Sequence, residues 1–149
     1  VTGKAMLFHA AVKESIIAAK NILLNREAYS FNYHSVPYTI FTYPEIALVG
    51  YTEDELKSMG VQYDTIYYKL AGDAQSQIVR HREGWMKILI EKESLRVLGF
   101  QAYAHDAAEL SAVFALAIEN NLTAKNLAWM AGPHPLTFEA INYAVRPFF

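Results

Sequence analysis

The sequence predicts an α+β fold, an antiparallel sheet with helices laid over it. Three observations lead there. Residues Trp85–Glu91 alternate, with Met86, Ile88 and Ile90 on one side and Lys87 and Glu91 on the other, and residues 97–103 repeat the pattern with Leu98, Phe100 and Ala102 sharing a face. Beyond Asp106 the apolar period changes to that of a helix. Strand-like runs come first and helix-like runs after, which separates this chain from an alternating βα architecture.

The elements follow in order. Residues 5–24 read as a helix with Phe8, Val12, Ile16, Ala19 and Leu23 along one face. A polar and aromatic connector, residues 25–35, marks a boundary before everything that follows. A short strand over 38–42 is interrupted by Pro44 and resumes over 46–50. Thr52-Glu53-Asp54-Glu55 has the pattern of a capping box, so a helix starts there and Gly60 ends it. The β-branched and aromatic run 63–70 is a strand, and 72–82 is a polar loop. The strands at 85–91 and 97–103 form a hairpin around Ser94. Asp106-Ala107-Ala108-Glu109 reads as a second capping box, opening a helix with Leu110, Val113, Phe114, Ala117 and Ile118 inward and running to Asn120-Asn121. Thr123 caps a short helix through Trp129, and a last helix spans 136–145. No internal repeat and no low-complexity tract interrupts the series.

Composition narrows the function classes. With 149 residues, 53% of them hydrophobic and 19% charged, the chain can build a real core. A net charge of −2 gives no electrostatic footprint for nucleic acid. There is no apolar run of membrane-spanning length and no signal peptide. The absence of cysteine excludes a disulfide, a thiolate nucleophile or a Cys-ligated metal within these residues, in keeping with a cytoplasmic setting. Val1-Thr2-Gly3-Lys4 lacks an initiator methionine and runs straight into a helix, as a segment of a longer protein would. Ten tyrosines and eight phenylalanines suit a large interface as well as a core, so self-association is expected.

One motif could carry chemistry: His134-Pro135-Leu136-Thr137-Phe138-Glu139. On one uninterrupted helix, residues five apart do not face each other. Pro135 favours the first turn of a helix and pushes His134 into a turn before it, so Glu139 can reach back to the imidazole. A carboxylate on one ring nitrogen fixes the tautomer and raises the basicity of the other, which is how a proton-transfer histidine is built. A surface histidine beside a helix start is the alternative. His9, His34, His81 and His105 share no helix face at metal-ligand spacing, so no metal site is expected. His81 reads as a solvated loop residue and His105 as a helix-start residue. Capping accounts for Asp106, Glu109, Glu53 and Glu55, and Trp85 and Trp129 read as core or interface anchors. No phosphate loop, GxGxxG or nucleophile elbow is present, so a His/Glu hydrolase would have no nucleophile.

Val36-Pro37, Phe41-Thr42-Tyr43-Pro44-Glu45-Ile46-Ala47 and Val49-Gly50 resemble the signature that opens the dimerisation (interface) domain of the pyridine nucleotide-disulfide oxidoreductases. Leu98-Gly99, Ala108-Glu109-Leu110, Ala115-Leu116-Ala117-Ile118 and His134-Pro135…Glu139 follow in the family's order. Upstream, residues 3–11 resemble the end of the same family's FAD domain, where a helix N-terminus faces the flavin. Within the family the resemblance is nearest to the dihydrolipoamide dehydrogenases; the C-terminal cysteine pair of mercuric reductases is absent.

The resemblance implies that residues 1–35 are the C-terminal end of an FAD-binding domain with its connector, and 36–149 the dimerisation domain. It implies a homodimer in which His134 is the base and Glu139 its orienting carboxylate, acting on the flavin and dithiol site of the partner subunit. Leu7, Phe8 and His9 would lie at the FAD-facing helix start, and the His134–Pro135 bond would be cis. FAD and NAD(P) would belong to the full-length protein, which also holds its FAD and NAD(P) domains; the isolated chain would bind neither and be inactive. Leu136 replaces the usual threonine after His-Pro, Tyr43 stands where Asp or Asn is common, and Phe8 replaces a small residue. A free-standing, non-catalytic α+β interaction module reusing this fold is the alternative.

Overall fold

The structure, a computed structural model, describes residues 2–148. Val1 and Phe149, the outer ends of the two segments expected from the resemblance, lie outside them. The elements are α1 (Phe8–Leu24), β1 (Tyr38–Ile40), β2 (Glu45–Gly50), α2 (Glu53–Ser58), β3 (Tyr63–Lys69), α3 (Ala74–Ile78), β4 (Trp85–Glu91), β5 (Val97–Ala104), α4 (Ala107–Glu119), α5 (Ala124–Trp129) and α6 (Glu139–Val145). Among the described residues the strands form one antiparallel sheet in the order β1-β2-β5-β4-β3. The α+β class read from the sequence is the class observed.

The core lies between one face of the sheet and α4, α5 and α6. Met86, Ile88 and Ile90 of β4 and Phe100 and Ala102 of β5 meet Leu110, Phe114, Ala117 and Ile118 of α4 and Ile141 and Val145 of α6. Phe100 and Phe114 stack at its centre, with ring centroids 4.0 Å apart. The predicted face of β5 needs one correction. A register shift pairs Leu89 with Gly99 but Ile90 with Val97, so Leu98 is an extra residue and turns to the other face. There it packs with Leu56 of α2 and Leu89.

Two glycines set the approach of β2 to β5. They are register partners. Gly50 has φ +81°, and a Cβ there would fall 2.3 Å from the Leu98 carbonyl oxygen. A Cβ on Gly99 would fall 2.1 Å from the Tyr51 carbonyl oxygen. Without side chains the chains close to the point where the Tyr51 amide donates to Leu98 O at 2.9 Å.

The helix over 5–24 begins three residues later than predicted, and its apolar stripe faces away from the rest of the described chain. Phe8, Val12, Ile16, Ala19 and Leu23 are exposed, Phe8 by 85%. The face turned inward is short and polar. Ala10 packs with Ala5 and Val36, Glu14 accepts from the Tyr33 hydroxyl, and Asn21 bonds the backbone of Ala28 and Tyr29. Helical spacing identifies an apolar face but does not say what covers it.

Thr52 and Glu55 make the predicted capping box, and Thr123 makes another with Asn126. Glu53 belongs to a different contact. It pairs with Lys87 at 2.9 Å, and that ammonium holds its carboxyl below the usual range. The segment predicted as a loop over 72–82 contains α3, five residues too polar and too few to show a helical stripe.

Asp73, at the start of α3, is 3% exposed, and neither carboxylate oxygen meets a donor in hydrogen-bond geometry among the described residues. Burial pushes its carboxyl up from the ordinary 3.8; the Ser76 and Gln75 amides partly offset this, Glu139 adds to it and His134 opposes it. A raised native-state pKa favours the folded chain at low pH and costs stability as pH climbs through that pKa. Asp73→Asn, which removes the buried charge but keeps a polar group there, is therefore expected to raise the melting temperature at pH 7. The difference in melting temperature should close below the ordinary Asp pKa; equal melting curves at pH 7 would rule the penalty out.

Candidate functional site

Pro135 and the turns after it do what the motif suggests. The His134–Pro135 peptide is cis. Residues 136–138 are not yet α-helix, and α6 begins at Glu139 rather than at 136. Three successive i→i−3 bonds lead into it, from Glu139, Ala140 and Ile141 amides to Leu136, Thr137 and Phe138 carbonyls. This tighter winding sets Glu139 back under the imidazole. His134 Nδ1 lies 2.9 Å from Glu139 Oε2. A carboxylate only accepts, so Nδ1 is the donor in this pair, and in the neutral imidazole Nε2 is then the nitrogen with the lone pair.

Exposure divides the pair. The His134 side chain is 69% exposed and that of Glu139 only 13%. The carboxylate is set in the fold and the imidazole stands out from it. Chemically, an imidazole held through Nδ1 in this way can exchange a proton at its other nitrogen with an incoming group.

The surrounding loop is braced on both sides. Asn142 of α6 donates through Nδ2 to Leu127 O at 2.7 Å and Met130 O at 2.9 Å. Gly132 packs close to the Phe138 ring, which a Cβ would approach to 2.8 Å. Thr137 Oγ1 donates to Asp106 Oδ2 at 2.6 Å. Pro133, Leu136, Phe138, Leu110 and Val113 line a neighbouring open groove of about 640 Å³ between the loop and α4.

Sequence reasoning misplaced Asp106. It does not cap α4; Glu45 of β2 accepts from the Ala108 amide at 2.9 Å, and Glu109 points into the groove instead. Nor are His81 and His105 isolated. Their rings stack with centroids 4.8 Å apart, and His81 bonds the Tyr43 hydroxyl. Local spacing gives no sign of either contact, since the partners are tens of residues apart. Trp85 stacks on Tyr67, and Trp129 is exposed.

Leu7, Phe8 and His9 sit together at the start of α1, away from the dyad. Leu7 occupies the N-cap position without a side-chain cap, so the first-turn amides face outward. Leu7 packs with Ala5, Ala10 and Val36, and His9 Nε2 lies 3.0 Å from Pro37 O. The open first-turn amides can donate to an acceptor-bearing group, and the exposed Phe8 ring stands beside them where a small residue was expected.

No described helix is long and apolar enough to cross a membrane. The sequence model for the pyridine nucleotide-disulphide oxidoreductase dimerisation domain matches residues 36–145. Dihydrolipoyl dehydrogenase 3 of Pseudomonas putida is 31% identical over 97% of this chain and 30% of its own length. The mitochondrial dihydrolipoyl dehydrogenase of Caenorhabditis elegans is 32% identical over 93% of this chain and 28% of its own. The crystal structure of LpdA from Mycobacterium tuberculosis superposes with a TM-score of 0.79 at 28% identity, over 88% of this chain and 28% of that one. The flavoprotein disulfide reductase RclA of Escherichia coli, at 20% identity, shares the fold with a TM-score of 0.86 over 98% of this chain and 33% of that one. This chain thus spans about 30% of the length of the curated relatives it matches. The family model, matched over the residues that build the five-stranded antiparallel sheet and its covering helices, shows that the chain belongs to the pyridine nucleotide-disulphide oxidoreductase family, with residues 36–145 as the dimerisation domain.

Proposed function

We propose that residues 36–149 pair two subunits of a dihydrolipoamide dehydrogenase-like disulfide oxidoreductase and lend His134 and Glu139 to the flavin and dithiol site of the partner subunit. Residues 1–35 are then the C-terminal end of the FAD domain, with Leu7, Phe8 and His9 at the flavin-facing helix start. One observation supports the reading: an imidazole backed by a largely buried carboxylate through Nδ1 stands exposed at the surface of its own domain.

The chemistry that bound FAD supplies is electron transfer between a nicotinamide and a dithiol or disulfide. This chain's contribution is a proton. His134 Nε2 takes it from a thiol during dithiol oxidation and returns it in the reverse direction, while Glu139 stabilises the imidazolium through Nδ1–H. The apolar groove between α4 and the His-Pro loop offers contact surface for the second subunit.

Mixed dimers test the reading. One subunit carries His134→Gln, the other a serine in place of its redox cysteines, and each homodimer is inactive in dithiol oxidation. If His134 acts across the interface, the heterodimer holds one intact site and regains about half of the wild-type rate per dimer. Activity no higher than that of the two parents would place His134 in its own subunit's site or in none.

A further inference from the structure

The carboxylate of Asp106 has been relieved of the task its position suggests. It stands at the N-cap of α4, but Glu45 caps that helix, reaching across from β2 to the Ala108 amide. Asp106 Oδ2 accepts instead from Thr137, thirty-one residues away, at 2.6 Å. Thr137 is 5% exposed and lies between His134 and Glu139 in the chain. The other oxygen, Oδ1, faces His105 Nε2 at 3.7 Å, and the His105 ring is backed by His81, itself bonded to Tyr43. The carboxylate is therefore fixed between the His-Pro loop and an aromatic stack contributed by the β1–β2 turn and the segment before β4.

The pair that the loop presents cannot hold itself. An ion pair or hydrogen bond with one partner 69% exposed competes with water and with the freedom of the side chains. A largely buried hydroxyl bonded to a carboxylate belongs to the stronger class of hydrogen bond. We propose that the Asp106–Thr137 bond is the positioning element of the dyad: it fixes the 134–139 loop in the winding that brings Glu139 under His134 Nδ1. Asp106 and Thr137 are positioning residues and touch no reacting atom. This inference rests on the proton-transfer reading of the dyad for its functional meaning, but not for its test.

The test reads the tautomer of His134 in the 149-residue chain by ¹⁵N shifts of the neutral imidazole. Neutral histidine in water favours the proton on Nε2, whereas pairing with Glu139 demands it on Nδ1. Wild type is expected to show the Nδ1–H form. Thr137→Val and Asp106→Ala each move the ratio toward Nε2–H by a factor of about three or more, the scale of one weak exposed pair released. Thr137→Ser and Asp106→Asn keep a donor or an acceptor and stay near wild type. A wild-type ratio in Asp106→Ala with the fold intact would overturn the proposal, as would a loss in Thr137→Ser equal to that in Thr137→Val. Should Thr137→Val fail to fold, Asp106→Ala and the two conservative variants decide. If instead the proton-transfer reading is wrong, His134→Gln in the whole protein leaves dithiol turnover unchanged, whatever the tautomer shows.

Discussion

On replacing His134 by Gln in the whole protein, dithiol oxidation is expected to fall by a factor of about 10²–10⁴, the range a positioned acid–base group contributes. Reduction of the flavin by the nicotinamide should continue, because hydride transfer needs no proton from the imidazole. Glutamine fills similar space and keeps hydrogen-bonding atoms, so the variant removes titration rather than packing. Glu139→Gln should lose less, since its amide can still accept from Nδ1–H but no longer balances an imidazolium. Stopped-flow measurement of the two half-reactions separates them. Unchanged dithiol turnover would end the assignment; equal loss in both half-reactions, with sedimentation showing monomers, would mean the variant had damaged the dimer instead.

Gly99→Ala is the substitution expected to cost the fold most per atom added. A Cβ 2.1 Å from the Tyr51 carbonyl oxygen meets backbone, and backbone cannot rotate out of the way. β2 and β5 would have to separate where Gly50 faces Gly99, breaking the bond from the Tyr51 amide to Leu98 O. The cost is roughly 3–4 kcal/mol, at or above the upper end for overpacking. For a chain of this size that is a fall in melting temperature of about 10 °C. Gly72→Ala is the control, with no heavy atom within 4 Å of its added Cβ, and should melt near wild type. A Gly99→Ala protein that also melts near wild type would show that the β2–β5 approach is softer than these distances imply.

The sheet was legible because its signals are local. Alternation in β4, the capping box at Thr52 and the cap at Thr123 need only a few consecutive residues. What sequence reasoning missed is set by distant partners. Leu98 turns over because a bulge inserts one residue, and no propensity marks that position. Asp106 has the spacing of a cap, yet Glu45, sixty-three residues from Ala108 in sequence, takes the amide. Asp73 and Thr137 are unremarkable as residue types; burial gives them their importance, and burial is a property of the folded chain. The dyad could be read early because His134, Pro135 and Glu139 fall within six residues. Its support could not, being drawn from the start of α4, β2 and the segment before β4.

The inward face of α1 has a consequence for how the chain comes apart. Ala10 is its one buried residue, and its remaining side-chain hydrogen bonds run to Thr2, the connector and Pro37 rather than to the strands of the sheet. A helix of seventeen residues is marginal alone in water. Cooperativity therefore stops short of it. Amide hydrogens in α1 exchange through local fraying, while those of β4 and β5, at the middle of the ladder, wait for global opening. Stability measured by a probe in the sheet says little about that helix, and a partner that covers its outward stripe would add it to the cooperative unit without altering any contact in the sheet.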